Sequence, residues 1–303
     1  MNAFDLMNDL GLEGCVQAAF PMREMTTMRV GGAADCVVHA ASEQDIVRVV
    51  GACRERGVPL TLVGRGSNLV VRDGGLRGVV LHLGAEFAQV DAKENRVCAQ
   101  AGATMGALAR AAQKHGLAGL EFAEGIPGSV GGGVYMNAGA YGGEMSQVLE
   151  SARILKASGD VAQVSATELD MRYRHTSLMD QGGVVLSAIF LLKPDEPERI
   201  AARMADYSQR RREKQPLQYP SSGSFFKRPE GYFAGKLIQD AGLKGASVGG
   251  AQISELHAGF LINRGNATAN DVLALMGKVQ NEVQARFGVK LEPEVRIIGE
   301  DER

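Results

Sequence analysis

The segment Gly125-Ile126-Pro127-Gly128-Ser129-Val130-Gly131-Gly132-Gly133, continued by Asn137-Ala138-Gly139-Ala140-Tyr141-Gly142-Gly143, carries far more glycine than a turn needs. Each glycine raises the entropic cost of ordering the chain, so a turn retains one or two and no more. Such density serves a backbone that must come close to a bulky ligand and aim its N–H groups at negative charge. Upstream lies a second loop, Gly64-Arg65-Gly66-Ser67-Asn68, between the apolar run Leu60-Thr61-Leu62-Val63 and Leu69-Val70-Val71. Two glycine-rich loops point to a nucleotide diphosphate held from both sides. The upstream loop alone is weak: a tight turn explains it equally well. No Gly-Lys-Ser/Thr follows it, and it does not open a helix as a dinucleotide fingerprint does.

Working outward, Ser42–Arg56 has helical spacing, with Ile46, Val49, Val50 and Cys53 on one face, Ser42 as N-cap and Gly57 as stop. Strands are expected at Leu60–Val63, Val79–Leu83, Val97–Ala101, Ser151–Ala157, Val184–Leu192 and Glu294–Ile298. Helices are expected over Thr104–His115, Pro197–Lys214, Ala234–Ala241 and Thr268–Phe287. In the last, Val272, Leu275, Met276, Val279 and Val283 face inward. The fold class is α+β, since the strands do not alternate regularly with helices. The proline- and acid-rich joint Lys193-Pro194-Asp195-Glu196-Pro197 marks a domain boundary.

The 303 residues exceed one average domain, and 45% hydrophobic with 22% charged residues describe an ordinary globular chain. A formal charge of −2 argues against a nucleic-acid partner. Cys15, Cys36, Cys53 and Cys98 form no close pair and have no histidine at ligand spacing, so they read as reduced thiols packing as small hydrophobes. The five histidines show no i,i+4 pair, and no metal site is expected. The opening Met1–Leu6 has no basic region ahead of an apolar core, and no run reaches the ~18 apolar residues of a membrane span. A cytoplasmic protein without a membrane partner is the expectation.

Other segments allow two readings. Met171-Arg172-Tyr173-Arg174-His175-Thr176-Ser177 is a solvated strand with two arginines on one face, or a place where an arginine meets a ligand. In Tyr219-Pro220-Ser221-Ser222-Gly223-Ser224-Phe225-Phe226-Lys227 a hydroxyl stands next to apolar walls that would keep water from its proton, unless the segment is a turn entering a core strand. Without a nearby histidine it gives no support to a hydrolase triad. Leu291-Glu292-Pro293-Glu294-Val295-Arg296 brings two carboxylates to a strand start. The cluster Arg210, Arg211, Arg212 and Lys214 either favours the helix dipole or steers a diphosphate.

In order along the chain, Thr26–Asp35, Gly64–Leu69, Gly125–Gly132, Met136–Tyr141, Tyr173-Arg174, Gly223–Lys227 and Glu294–Arg296 resemble the UDP-N-acetylenolpyruvoylglucosamine reductase family over nearly the whole length. The ordered set is far more specific than any one motif. The resemblance implies an FAD-binding domain of the vanillyl-alcohol-oxidase (PCMH) type over 28–193, in two subdomains of about 28–95 and 96–193. An N-terminal segment, 1–27, precedes it and an α+β substrate-binding domain, 194–303, follows. The chain is similar to the shorter subtype, which lacks the inserted tyrosine lid.

The resemblance also implies roles. Non-covalent FAD would lie on Gly64, Arg65, Gly66, Ser67, Asn68, Leu69, Gly125, Ile126, Pro127, Gly128, Ser129, Gly131, Gly132, Asn137, Ala138 and Gly139. NADPH would reduce FAD and give way to UDP-N-acetylglucosamine enolpyruvate. Hydride from flavin N5 would go to C3 of the enolpyruvyl group, forming UDP-N-acetylmuramate for peptidoglycan. Arg174 and Glu294 would stabilise the enolate-like intermediate, and Ser224 would protonate C2. Tyr173, Arg211, Lys214 and Lys227 would bind substrate. The competing readings are another oxidase or dehydrogenase of the same FAD fold, and a catalytically silent flavin- or nucleotide-binding module. The first lacks an explanation for Gly223–Lys227, and the second for the Arg, Ser and Glu set.

Overall fold

The computed structural model describes residues 2–12 and 15–302. Contacts divide the chain into two compact units, each assembled from three stretches. The first comprises Met1–Gln17, Val37–Arg65 and Gly78–Arg210; the second comprises Ala18–Cys36, Gly66–Arg77 and Arg211–Arg303.

In the first unit an antiparallel sheet runs in the order Val161–Ser165, Leu149–Leu155, Val184–Leu191, Arg96–Gln100, Val90–Lys93. The helix Met105–Lys114 buries Met105, Leu108, Ala109 and Ala112, and the Thr104 side chain caps it at Ala107 N, 3.0 Å. A second short helix, Val130–Tyr135, is built for close packing. A Cβ at Gly131 would stand 2.8 Å from Ala101 Cβ, and one at Gly133 would stand 2.8 Å from both Met105 Sδ and Met145 Cε. Packing alone thus asks for glycine at Gly131, where the neighbour is the fixed Cβ of Ala101, and favours it at Gly133, where the neighbours are methionine side-chain ends. Glu43–Arg56 forms as expected: Ser42 Oγ accepts from Asp45 N at 3.1 Å, and Gly57 ends the helix at φ +64°. Leu60–Val63 pairs in parallel with Leu76–His82, in register from Leu60↔Val79 to Val63↔His82.

The core of the second unit is the long helix Ala269–Phe287 against a sheet ordered Ser221–Ser224, Phe260–Asn263, Ala251–Ile253, Ser247–Val248. Val272, Leu275, Val279 and Val283 recur at helical spacing and are fully buried. Each such side chain contributes roughly 1.5–3 kcal/mol of burial. A capping box between Thr268 and Asp271 starts the helix, and both carboxylate oxygens of Asp73 accept from its first N–H groups, Ala269 at 2.8 Å and Asn270 at 2.9 Å. Arg296–Ile298 pairs in parallel with Leu69–Val71.

Two expectations need correction. Met171–Ser177 is a tight turn, closed by Arg172 N to His175 O (2.9 Å) and His175 N to Arg172 O (3.1 Å), so the two arginines do not share a strand face. Cys36 and Cys53 are buried, but Cys15 is half-buried and Cys98 exposed. Cys98 lies on the solvent-facing alternation of Arg96–Gln100, where Val97 and Ala99 take the inward positions. Among the described residues, no helix is long and apolar enough to cross a membrane.

Candidate functional site

The first unit brings Gly64 and Arg65 together with the second glycine loop. Gly64 lies so close to Ser129 that a Cβ on it would overlap Ser129 Oγ. Ser129 is nearly inaccessible at 3% and caps the helix Val130–Tyr135 at Gly132 N, 3.4 Å. Gly132 is the open member of its glycine triplet, with only Ser129 Oγ, at 3.5 Å, near its Cβ position. Val130 N and Gly131 N are spent on the carbonyls of Ala103 and Ala101, both at 2.8 Å. By contrast, among the described residues no protein acceptor takes the main-chain N–H of Arg65, nor of Gly125, Gly128 or Ser129. Unspent N–H groups in a glycine-lined cradle suit an anionic phosphate chain. The residues present thus fit the FAD that the sequence implies.

Beside this cradle, Asn137 is fully buried at φ +44°. Its amide donates to Arg172 O at 3.0 Å and accepts from Ser146 N at 2.9 Å. Ala138 N bonds Gly133 O at 2.8 Å, and a Cβ on Gly139 would meet Gly143 O at 2.5 Å. The Arg174 guanidinium lies over this segment, donating to Gly139 O at 3.1 Å and Asn137 O at 3.4 Å. Its backbone sits at φ +53°, a region that a non-glycine residue adopts at some cost. Arg172 instead pairs with the exposed Asp170 at 2.6 Å. Tyr173 is exposed, with the Arg174 guanidinium 5.1 Å from its ring centroid. The turn thus separates two arginines that spacing alone could not.

In the second unit, a Cβ on Gly66 (φ +59°) would collide with the Met25 carbonyl oxygen, so this position requires glycine. Asn68 Nδ2 donates to Glu294 O at 3.1 Å, and Arg296 N donates to Asn68 O at 3.0 Å. Glu294 N in turn bonds Phe225 O at 2.9 Å, and Lys227 N bonds Glu292 O at 2.9 Å. Asn68, Ser224–Lys227 and Glu294, dispersed in sequence, therefore form one hydrogen-bonded strip. Gly223, at φ +76°, bulges the strand, after which Phe225 and Phe226 turn into the core. Ser224 itself is exposed, not enclosed by those rings. Leu69, at the start of the adjoining strand, is half-buried; its carbonyl accepts from Ser222 Oγ at 3.2 Å.

The basic cluster divides. Arg211 is buried at 7% and donates to Gln215 Oε1 at 3.5 Å, whereas Arg210, Arg212 and Lys214 are exposed. Arg211 is thus no part of a solvent-facing cation patch. Lys227 is half-buried and pairs with Glu292 at 3.5 Å.

The chain is 49% identical over 280 residues to the UDP-N-acetylenolpyruvoylglucosamine reductase of Clostridium novyi, covering 92% of this chain and 91% of the relative. It is 47% identical over 297 residues to that of Clostridium beijerinckii, covering 98% and 97%. The chain belongs to the UDP-N-acetylenolpyruvoylglucosamine reductase family. Residues 215–298 match the C-terminal domain of that reductase, and residues 34–165 match an FAD binding domain. The crystal structure of the UDP-N-acetylenolpyruvylglucosamine reductase from Thermus caldophilus is similar at a TM-score of 0.80 and 35% identity, covering 93% of this chain and 97% of that one. As a reductase of this family, the chain is an FAD- and NADPH-dependent oxidoreductase with a small-molecule substrate.

One grouping in this reductase was invisible to sequence spacing. His39 and His82 end neighbouring strands, Ala33–His39 and Leu76–His82, and their Nδ1 atoms are 2.9 Å apart. Burial, and after it the charge of His39, lowers the His82 pKa from its ordinary value. A histidine at the end of each strand was readable, but nothing in the sequence said that those strands pair.

Proposed function

We propose that this chain reduces the enolpyruvyl ether of UDP-N-acetylglucosamine to the corresponding lactyl ether, UDP-N-acetylmuramate, as a step in peptidoglycan precursor synthesis. What carries the reading is the strip in which Asn68, Ser224–Lys227 and Glu294 are tied together, in a chain whose relatives are reductases of this name over almost their full length. FAD, when bound, supplies the hydride that NADPH delivers to the enzyme.

The residues of the chain do the rest. The unspent N–H groups of Arg65 and of Gly125, Gly128 and Ser129 would hold the cofactor's diphosphate. Arg174, already fixed by two carbonyls, offers a positive charge to the substrate carboxylate as electron density grows beside it. Preorganised donors of this kind are worth about 3–4 kcal/mol in the transition state. Ser224 gives its hydroxyl proton to C2. A serine is a weak acid, but a carbanionic carbon is basic enough to take that proton, and well-placed acid catalysis contributes roughly 10²–10⁴ in rate. Glu294 hydrogen-bonds the same carboxylate. Lys227 and Lys214 attract the substrate diphosphate, while Arg211 supports the helix end from inside.

Purified, FAD-loaded protein should oxidise NADPH only once the enolpyruvyl sugar nucleotide is added. Ser224→Ala should leave flavin reduction by NADPH intact and slow reoxidation by substrate by about 10²-fold or more. NADPH oxidation that depends on oxygen and ignores the enolpyruvyl compound would place the chain among the oxidases, and equal loss of both half-reactions would remove Ser224 as the acid.

A further inference from the structure

Among the described residues, His39, His82 and Glu86 form the one group of three metal-competent side chains whose ligand atoms all lie within 4.8 Å of one another. All three belong to the first unit. The two imidazoles meet edge to face, with centroids 4.9 Å apart and planes at 87°, so their Nδ1 atoms converge from different directions. Glu86 reaches the pair from the turn Ala85–Phe87 and is exposed. The glycine between them has a reason: a Cβ on Gly84 would overlap His82 Cε1, so only glycine leaves room for the ring.

His82 pairs with Val63, next to Gly64, across the parallel strands. Four-coordinate Zn²⁺ with bonds of about 2.0–2.2 Å holds its ligand atoms roughly 3.3–3.6 Å apart. The histidine nitrogens need to open by a few tenths of an ångström, and the Glu86 carboxylate needs only to swing inward. Two imidazole nitrogens and a carboxylate suit Zn²⁺ and its neighbours in the transition series rather than Mg²⁺ or Ca²⁺.

We propose that His39 Nδ1, His82 Nδ1 and the Glu86 carboxylate form a site for one divalent transition-metal ion of the Zn²⁺ type, at the base of the Gly64 loop. Its remaining coordination position is left to water. The site is independent of the reductase chemistry and supplies no group to it. Through the pairing of His82 with Val63, an ion here would stiffen the base of the loop that begins at Gly64.

The test uses full-length, FAD-loaded protein and Zn²⁺ alone. Calorimetric titration and elemental analysis after dialysis should find one Zn²⁺ per chain. His39→Gln and His82→Gln should each weaken it about 100-fold, Glu86→Gln about tenfold, and the exposed-site control His115→Gln not at all. Melting temperature and FAD content of the metal-free variants, both unchanged, would show that the fold survives. Absence of saturable binding, or binding that His39→Gln and His82→Gln leave intact, would overturn the site and leave a neutral histidine–histidine hydrogen bond.

Discussion

Gly64 and Ser129, 65 positions apart in the chain, touch so closely that no side chain can stand between them. The contact makes two loops, each ambiguous alone, into one cradle whose N–H groups are unspent. Gly64→Ala should therefore weaken FAD retention by about tenfold or more, some 1.4 kcal/mol. Adding Ser129→Ala removes the overlapping hydroxyl, so the double variant should recover part of the loss. FAD content after gel filtration and fluorescence titration of the apoprotein measure both. Strict additivity of the two losses would deny the contact.

Arg172 and Arg174 should behave differently. Arg174→Ala should slow the substrate half-reaction by about 10²–10³-fold, on the scale of losing a preorganised donor, and leave reduction by NADPH nearly unchanged. Among the described residues the Arg172 side chain pairs with exposed Asp170, and Arg172→Ala should alter either half-reaction less than about threefold. Stopped-flow flavin absorbance separates the two steps. Equal effects would mean that the turn acts as a whole and the guanidinium of Arg174 has no privileged role.

Arg203 supports the fold away from the chemistry. It donates to Glu121 Oε1 at 2.7 and 2.9 Å and to Asp195 at 2.7 Å, and Glu121 is buried at 8%. The pairing holds the Asp195 carboxyl below its ordinary pKa. Arg203 is itself substantially exposed, which screens the pair. Arg203→Ala should cost about 1–3 kcal/mol, chiefly by leaving Glu121 buried without its cation. Arg203→Ala with Glu121→Gln should cost less than Arg203→Ala alone, as read from denaturant midpoints.

His257 predicts a pH dependence. Burial first, and then Lys244, lowers its pKa, while Nδ1 accepts from Gly259 N at 3.0 Å. The unfolded chain therefore takes up this proton before the folded one. The contribution is complete above the ordinary value of about 6.5 and is lost as pH falls through the lower folded value. His257→Asn keeps an acceptor near Nδ1 but has no titration, so its stability should fall less steeply than that of wild type from about pH 7 to 5. Parallel curves would assign the slope to other groups.

Local physics was legible from sequence wherever it was self-contained. The cap at Ser42 and the αL glycine Gly57 lie where the residues placed them, because a cap depends on neighbours three or four positions away. Dense glycine near Ser129 also pointed to a binding loop. Yet Gly131 and Gly133 have packing reasons of their own, which no sequence count separates from a ligand's needs. The Met171–Ser177 turn and the exposure of Ser224 were not readable, since each follows from backbone reversals at Arg174 and Gly223 that sequence spacing does not encode.

By itself, the sequence determined the α+β class, most helices with their ends, the glycine-rich loops and an ordered motif set that resembles one family over nearly the whole chain. Tertiary structure alone decided which distant segments meet: Gly64 with Ser129, Asn68 with Glu294, Arg174 with Asn137, His39 with His82. It also decided that each unit is assembled from three separate stretches. Capping and amphipathic spacing are written within one turn of helix or one strand. Strand partnership and loop contact depend instead on how whole elements bury their apolar faces, a choice that no local window of residues contains.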